Sequence, residues 1–231
     1  AKDDVTGVST LTGGANTDTI TIDPTSVYSF RIDGGAGDDN LILGGVSSAG
    51  NNVLSVSNVE KITGGNLDDV INSETVFYSG NEVHLGDGVD TLNLTNGEHV
   101  LGITGVETIN YGNNTGPTTL TMETSLNSVS VYGNSRPDGR LNLFNSINTV
   151  TVSAIATIIG GVYADTITVN ASEIMTGSIT VAGNSGTDEL LLTADATTIL
   201  SSQNLNNITG LETITLASDQ TYSLALNDNN T

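Results

Sequence analysis

The chain has 231 residues, with 5 Lys+Arg against 26 Asp+Glu, a formal net charge of −21, and neither Cys nor Trp. These counts exclude a disulfide scaffold and a thiolate zinc site, and they argue against nucleic acid, because phosphate binding needs clustered cations and Lys2, Arg31, Lys61, Arg136 and Arg140 are scattered. No apolar stretch approaches the roughly 20 residues that span a bilayer, and the chain opens Ala-Lys-Asp-Asp rather than with a secretory signal.

Only 13% of residues are charged and 3 are Pro, while Gly, Thr, Asn and Ser abound. A disordered acidic chain would be rich in Glu, Lys and Pro, so a folded β protein is the better reading. Helix is disfavoured throughout, since no window holds a 3.6-residue apolar period. Apolar-x-apolar strands are predicted to start, in order, at Ile20, Phe30, Leu41, Leu54, Ile62, Val70, Val83, Leu92, Leu101, Ile109 and Leu120. They continue at Val129, Leu141, Val150, Ile158, Ile167, Ile179, Leu190, Ile199, Ile214 and Leu224. Their starts fall about 8 to 13 residues apart, with polar turns between, which fits a sandwich, a barrel or a solenoid.

A repeated four-residue form decides among these. Val59-Glu60-Lys61-Ile62, Val106-Glu107-Thr108-Ile109, Leu126-Asn127-Ser128-Val129, Ile147-Asn148-Thr149-Val150 and Leu211-Glu212-Thr213-Ile214 share it. Their spacing points to a unit of about 20 residues carrying two short strands, the size of one solenoid coil. The expected fold is therefore all-β, a right-handed parallel β-solenoid of about 20-residue coils forming a single domain over residues 1–231. The best candidate for a break is Gly112–Pro117, and the uncapped look of Asn227–Thr231 suggests a piece of a longer extracellular protein.

The segment Gly34-Gly35-Ala36-Gly37-Asp38-Asp39-Asn40-Leu41-Ile42 fits the nonapeptide G-G-x-G-x-D-x-U-x at every fixed position. Variants place Asp18, Asp69, Asp90, Asp165 and Asp188 in the same frame. Asn16, Leu67 and Tyr163 replace the third glycine, Leu85 the first and Asn184 the second. Glycines admit left-handed backbone and turn carbonyls inward, while the Asp adds a carboxylate, and such hard oxygens suit Ca²⁺ rather than Zn²⁺. On a solenoid these acids would stack at one corner, where their repulsion calls for a cation. Ordinary Gly/Asp turns, chosen for conformation alone, are the plain alternative.

These motifs resemble the calcium-binding repeats of RTX-type β-roll proteins exported by type I secretion, particularly the repeat regions of bacterial surface-layer proteins and adhesins. The resemblance implies Ca²⁺ as cofactor and a ligand set drawn from Asp18, Gly34, Ala36, Asp38, Asp39, Asp68, Asp69, Asp87, Asp90, Asp165 and Asp188. It also implies an extracellular or cell-surface location and a structural, non-enzymatic role. Self-association into a lattice or filament, with a cell-surface polysaccharide as a further partner, goes with that role. Copies here alternate with Asn/Thr-rich strands instead of running in unbroken tandem, unlike the toxin and protease blocks.

Two other readings remain. Thr-x-Thr pairs at Thr19/Thr21, Thr119/Thr121, Thr149/Thr151, Thr166/Thr168 and Thr213/Thr215 suggest an ice- or surface-binding module, although they do not fall on one 20–21-residue register. Polysaccharide lyases and epimerases also use β-helices, and Arg136 and Arg140 flank Asp138, the one cationic cluster holding an acid.

Overall fold

The computed structural model describes residues 10–22, 29–44, 52–112, 116–177, 179–193, 198–201, 205–217 and 222–225. It divides into two compact units, residues 1–95 with 101–110 and residues 96–100 with 111–231.

The first unit holds β1 (Thr10–Thr12), β2 (Thr19–Ile22), β3 (Ser29–Asp33), β4 (Asn40–Leu43), β5 (Val53–Ser57), β6 (Lys61–Thr63), β7 (Val70–Ser73), β8 (Asn81–His84) and β9 (Thr91–Leu94). It also holds the second half of β10 (Gly97–Thr104) and most of β11 (Thr108–Tyr111). Odd-numbered strands follow one another in one sheet and even-numbered strands in a second, and the registered pairs are parallel. Strands that alternate between two parallel sheets can only be joined by winding round, which is the solenoid expected from the repeat.

The second unit holds β12 (Thr118–Met122), β13 (Asn127–Tyr132), β14 (Arg140–Asn142), β15 (Asn148–Ser153), β16 (Thr157–Ile159), β17 (Asp165–Asn170), α1 (Ala171–Met175) and β18 (Thr180–Ala182). After these come β19 (Glu189–Thr193), β20 (Thr198–Ser201), β21 (Ile208–Thr209), β22 (Thr213–Leu216) and β23 (Tyr222–Ala225). One sheet runs β13-β15-β17-β19-β22, the other β12-β14-β16-β18-β21, and β20 pairs with β23 separately. Every predicted strand start lies inside a strand except Ile179, one residue ahead of β18.

Register explains the core. Leu41, Ile62, Val83 and Ile103 sit side by side on successive coils of the first unit, and Leu54, Ile71 and Leu92 do so in its other sheet. All seven are buried. In the second unit Val150, Ile167 and Leu190 make the matching column. The strands of these columns thus contribute one or two buried aliphatic side chains each, and each fully buried one stabilises by about 1.5–3 kcal/mol. Buried aromatic residues add little to this aliphatic stack, with Phe77 and Tyr111 as examples.

Two expectations change. Among the described residues one α-helix is present, because Asn170 accepts the Ser172 N–H at 2.9 Å as an N-cap while Ala171 and Ile174 bury their side chains. The Thr-x-Thr pairs do share a register in part. Thr149 and Thr151 lie beside Thr166 and Thr168 on the outer face, and Thr213 and Thr215 lie two strands on, beyond Glu189 and Leu191. Coil length is not fixed at 20–21 residues here, since equivalent positions are separated by 17, 23 and 24 residues, so register cannot be read from a constant period.

Candidate functional site

The motif aspartates form three columns. From the second turn of each column onward, a carboxylate accepts the main-chain N–H of the equivalent residue one coil earlier. In the first column Asp18 N–H donates to Asp39 Oδ1 at 2.8 Å and Asp39 N–H to Glu60 Oε2 at 2.7 Å. In the second, the Asn52 side-chain Nδ2 donates to Asp69 Oδ1, Asp69 N–H to Asp90 Oδ1 at 2.6 Å, and Asp90 N–H to Glu107 Oε2 at 2.7 Å. In the third, Asn148 N–H donates to Asp165 Oδ1 at 3.0 Å, Asp165 N–H to Asp188 Oδ1 at 2.8 Å, and Asp188 N–H to Glu212 Oε2 at 2.7 Å.

Each column ends in a clamp. The Asp39 carbonyl accepts from Glu60 and Lys61 N–H, the Asp90 carbonyl from Glu107 and Thr108, and the Asp188 carbonyl from Glu212 and Thr213, all at 3.0–3.2 Å. The residues two positions ahead of these glutamates, Asn58, Gly105 and Gly210, have φ of 50°, 58° and 62°. The Val-Glu-Lys-Ile, Val-Glu-Thr-Ile and Leu-Glu-Thr-Ile segments are therefore one device, a terminator for a stack of aspartate turns. Sequence reading found them as a repeat but did not assign Glu60, Glu107 or Glu212 to the site. Their recurrence about one coil after Asp39, Asp90 and Asp188 was the available signal. Glu107→Ala leaves the Asp90 N–H without its acceptor and lowers stability by about 1–3 kcal/mol, while Glu107→Gln keeps an acceptor and restores most of it, as urea midpoints will show.

Stacking also explains the departures from the nonapeptide. Gly37, Gly88 and Gly186 have φ of 134°, 134° and 136°, and a Cβ on them would lie 2.6, 2.8 and 2.7 Å from the backbone carbonyl carbons of Asn16, Leu67 and Tyr163. Glycine is needed at this position only in the later turn of each pair. The earlier turn can carry a side chain, so Asn16, Leu67 and Tyr163 mark first turns rather than degraded motifs. The turns also touch directly: Ala36 N–H donates to Gly14 O at 3.0 Å and Asp87 N–H to Gly65 O at 3.1 Å.

The predicted site residues sort by burial. Asp39, Asp69, Asp90, Asp165 and Asp188 are at most 1% exposed, whereas Asp18 and Asp68 are partly buried and Asp38, Asp87 and Ala36 are exposed. Gly34 is buried beside Asp39. In the first unit the acids occupy two corners rather than one. Asp18 and Asp39 lead into β2 and β4 of one sheet, Asp69 and Asp90 into β7 and β9 of the other, because Asp39 to Asp69 spans a coil and roughly half of another. Asp68 Oδ1 accepts the Val89 N–H at 2.9 Å, bridging the stacked turns from outside.

Burial dominates the electrostatics. It pushes the Asp90 carboxyl up to about 6, helped by the charges of Asp69, Glu107 and Asp68, and the donated Asp69 N–H offsets only part of this. Desolvation raises Asp69 and Asp188 in the same direction. The second carboxylate oxygens of Asp18, Asp69 and Asp165 accept Gly14, Gly65 and Gly161 N–H. Those of Asp39, Asp90 and Asp188 are buried with no hydrogen-bond partner. An unpaired buried carboxylate oxygen calls for a cation or a proton.

A calcium ion needs six to eight oxygens, and the residues present offer carboxylates and turn carbonyls of the right kind. Among the described residues no three His, Cys, Asp or Glu side chains converge as a cluster for a metal, so carbonyls would have to complete any such shell. Elsewhere, Arg136 Nε and Nη2 donate to Asp138 at 2.9 and 3.0 Å, while Arg140 Nε donates to Asn142. Arg136 and Arg140 do not share that acid. Comparison with protein-family models, curated proteins and solved structures returns no match.

Proposed function

We propose that this chain is a structural, non-enzymatic module of a bacterial surface layer or similar extracellular assembly, and that calcium orders it. The observation that carries the reading is the trio of buried, unpartnered oxygens on Asp39, Asp90 and Asp188, each in the later turn of a stacked pair. Asp39, Asp90 and Asp188, with carbonyls of their glycine turns and with Asp38, Asp68 and Asp87 outside, are the residues that would hold the ion. Bound calcium supplies positive charge to seams that otherwise carry stacked acids. With a net charge of −21 the metal-free chain repels itself, so calcium-rich surroundings favour the coiled state. Parallel coils also leave edge strands able to pair with further copies.

Electron microscopy in millimolar calcium and in EDTA tests the assembly. Ordered arrays or filaments that form with calcium and disperse on chelation support it. Single particles under both conditions overturn it.

The aligned outward threonines of β15, β17 and β22 favour a second reading, an ice- or surface-binding face. Glu189 and Leu191 interrupt that array. Thermal hysteresis lost in Thr151→Lys would establish this reading, and its absence from the parent protein would remove it.

A further inference from the structure

We propose that a cleft in the second unit binds a saccharide bearing one carboxylate, with Arg136 as the partner of that group. The cleft has a volume of about 660 Å³, within the range of small-ligand pockets. The turn after β13, the segment after β15 and α1 frame it.

Its origin is the helical break that α1 makes in the coil. Glu173, on α1, accepts the Ser153 hydroxyl on Oε1 at 2.9 Å and the Ala154 N–H on Oε2 at 2.8 Å. Ala154 is thereby held at φ 58°, a left-handed conformation that alanine adopts reluctantly. The Ala154 carbonyl in turn accepts the Ser135 N–H at 3.1 Å. Wall and rim are thus fixed to each other before any ligand arrives.

The lining suits a sugar ring. Exposed Pro137 and half-buried Ala154 and Ala156, backed by buried Ile155 and Ile179, offer apolar contact for the C–H face of a pyranose. The Ser135 hydroxyl lies at the same cleft for a ring hydroxyl, as does that of Thr176, which donates to the Glu173 carbonyl at 2.8 Å and can still accept. Arg136 adds the only positive charge in the lining. Its bond with Asp138 uses two of five guanidinium donors. The two side chains are 32% and 43% exposed, so water screens the pair despite its bidentate geometry. A ligand carboxylate can therefore take the place of Asp138 and form a bidentate pair with Arg136. The net charge of −21 also limits the ligand, because a long polyanion is repelled. The fitting occupant is one uronate-type residue in an otherwise neutral chain. None of this depends on calcium binding at the aspartate turns.

Isothermal titration of the full chain in calcium buffer, with a galactose–galacturonate disaccharide and with its neutral galactose counterpart, tests the inference. The acidic sugar is expected to bind at least about tenfold tighter. Asp138→Asn removes the internal competitor and tightens acidic-sugar binding severalfold, Arg136→Gln abolishes the discrimination, and Thr176→Trp blocks both sugars. Circular dichroism confirms that each variant is folded, and Asp138→Asn keeps the question decidable if Arg136→Gln is not. Equal affinity for the two sugars, no heat from either at millimolar concentration, or weaker acidic-sugar binding by Asp138→Asn overturns the proposal.

Discussion

Gly34→Ala is expected to destabilise the protein by at least about 3 kcal/mol, a fall in melting temperature of roughly 6–12 °C. A Cβ at this position would lie 1.9 Å from the Asn58 carbonyl oxygen and 2.7 Å from Asp39 Oδ2. Asn58 is the left-handed residue that opens the first terminator, so no flexible side chain is available to yield. The coils would have to separate, and the Asp39 N–H bond to Glu60 would go with them. Gly14→Ala is the matched control. Its Cβ would meet only Asp18 Oδ2, at 3.5 Å, and the change should move stability by less than about 1 kcal/mol. Thermal melts followed by circular dichroism separate the two, and equal melting temperatures would show that the coils do not approach as closely as described.

The second large effect concerns pH. Asp90 is raised from the ordinary 3.8 to about 6, with Asp69 and Asp188 raised alongside it. A raised carboxyl means that folding favours the protonated form. The stabilisation is fully present below the unfolded value near 4 and is lost as pH climbs through about 6. Metal-free protein should therefore gain roughly 2–3 kcal/mol from Asp90 alone on acidification from pH 7 to pH 4, against the usual behaviour of acidic proteins. Asp90→Asn keeps an oxygen for the Asp69 N–H and removes the buried charge. Without metal it should exceed the parent in stability at pH 7 by about 2 kcal/mol, and its profile from pH 4 to 7 should be flatter. Urea midpoints across that range measure both effects, and a parent protein that weakens steadily below pH 7 would contradict them.

Much of the fold is legible because its signals are local. Strands declare themselves through alternation, as at Leu41, Ile62 and Val83, and turns through glycine with aspartate. The repeat also makes successive coils parallel neighbours, which explains why separated segments such as β4 and β6 pair. The site is less legible because its contacts run between coils. Glu60 is unremarkable until Asp39 is placed beneath it, and Tyr163 looks like a broken motif until Gly186 is seen to stack on it. The α1 cap and the threonine register depend on coil lengths of 17 to 24 residues, and a constant period cannot supply these. In the sequence Arg136 is only one flank of Asp138, and the course of the chain through α1 is what gives that turn a cleft.

Thermal unfolding at pH 7 in EDTA and in millimolar calcium tests the calcium-ordered solenoid most directly. For a site filled at a hundred times its dissociation constant, linkage adds about 2.7 kcal/mol, which is a rise of roughly 5–10 °C in melting temperature for a chain of this size. The account predicts such a rise, reversed by EDTA and reduced in Asp39→Asn and Asp90→Asn. A melting curve and β-sheet signal identical in EDTA and in calcium would contradict it.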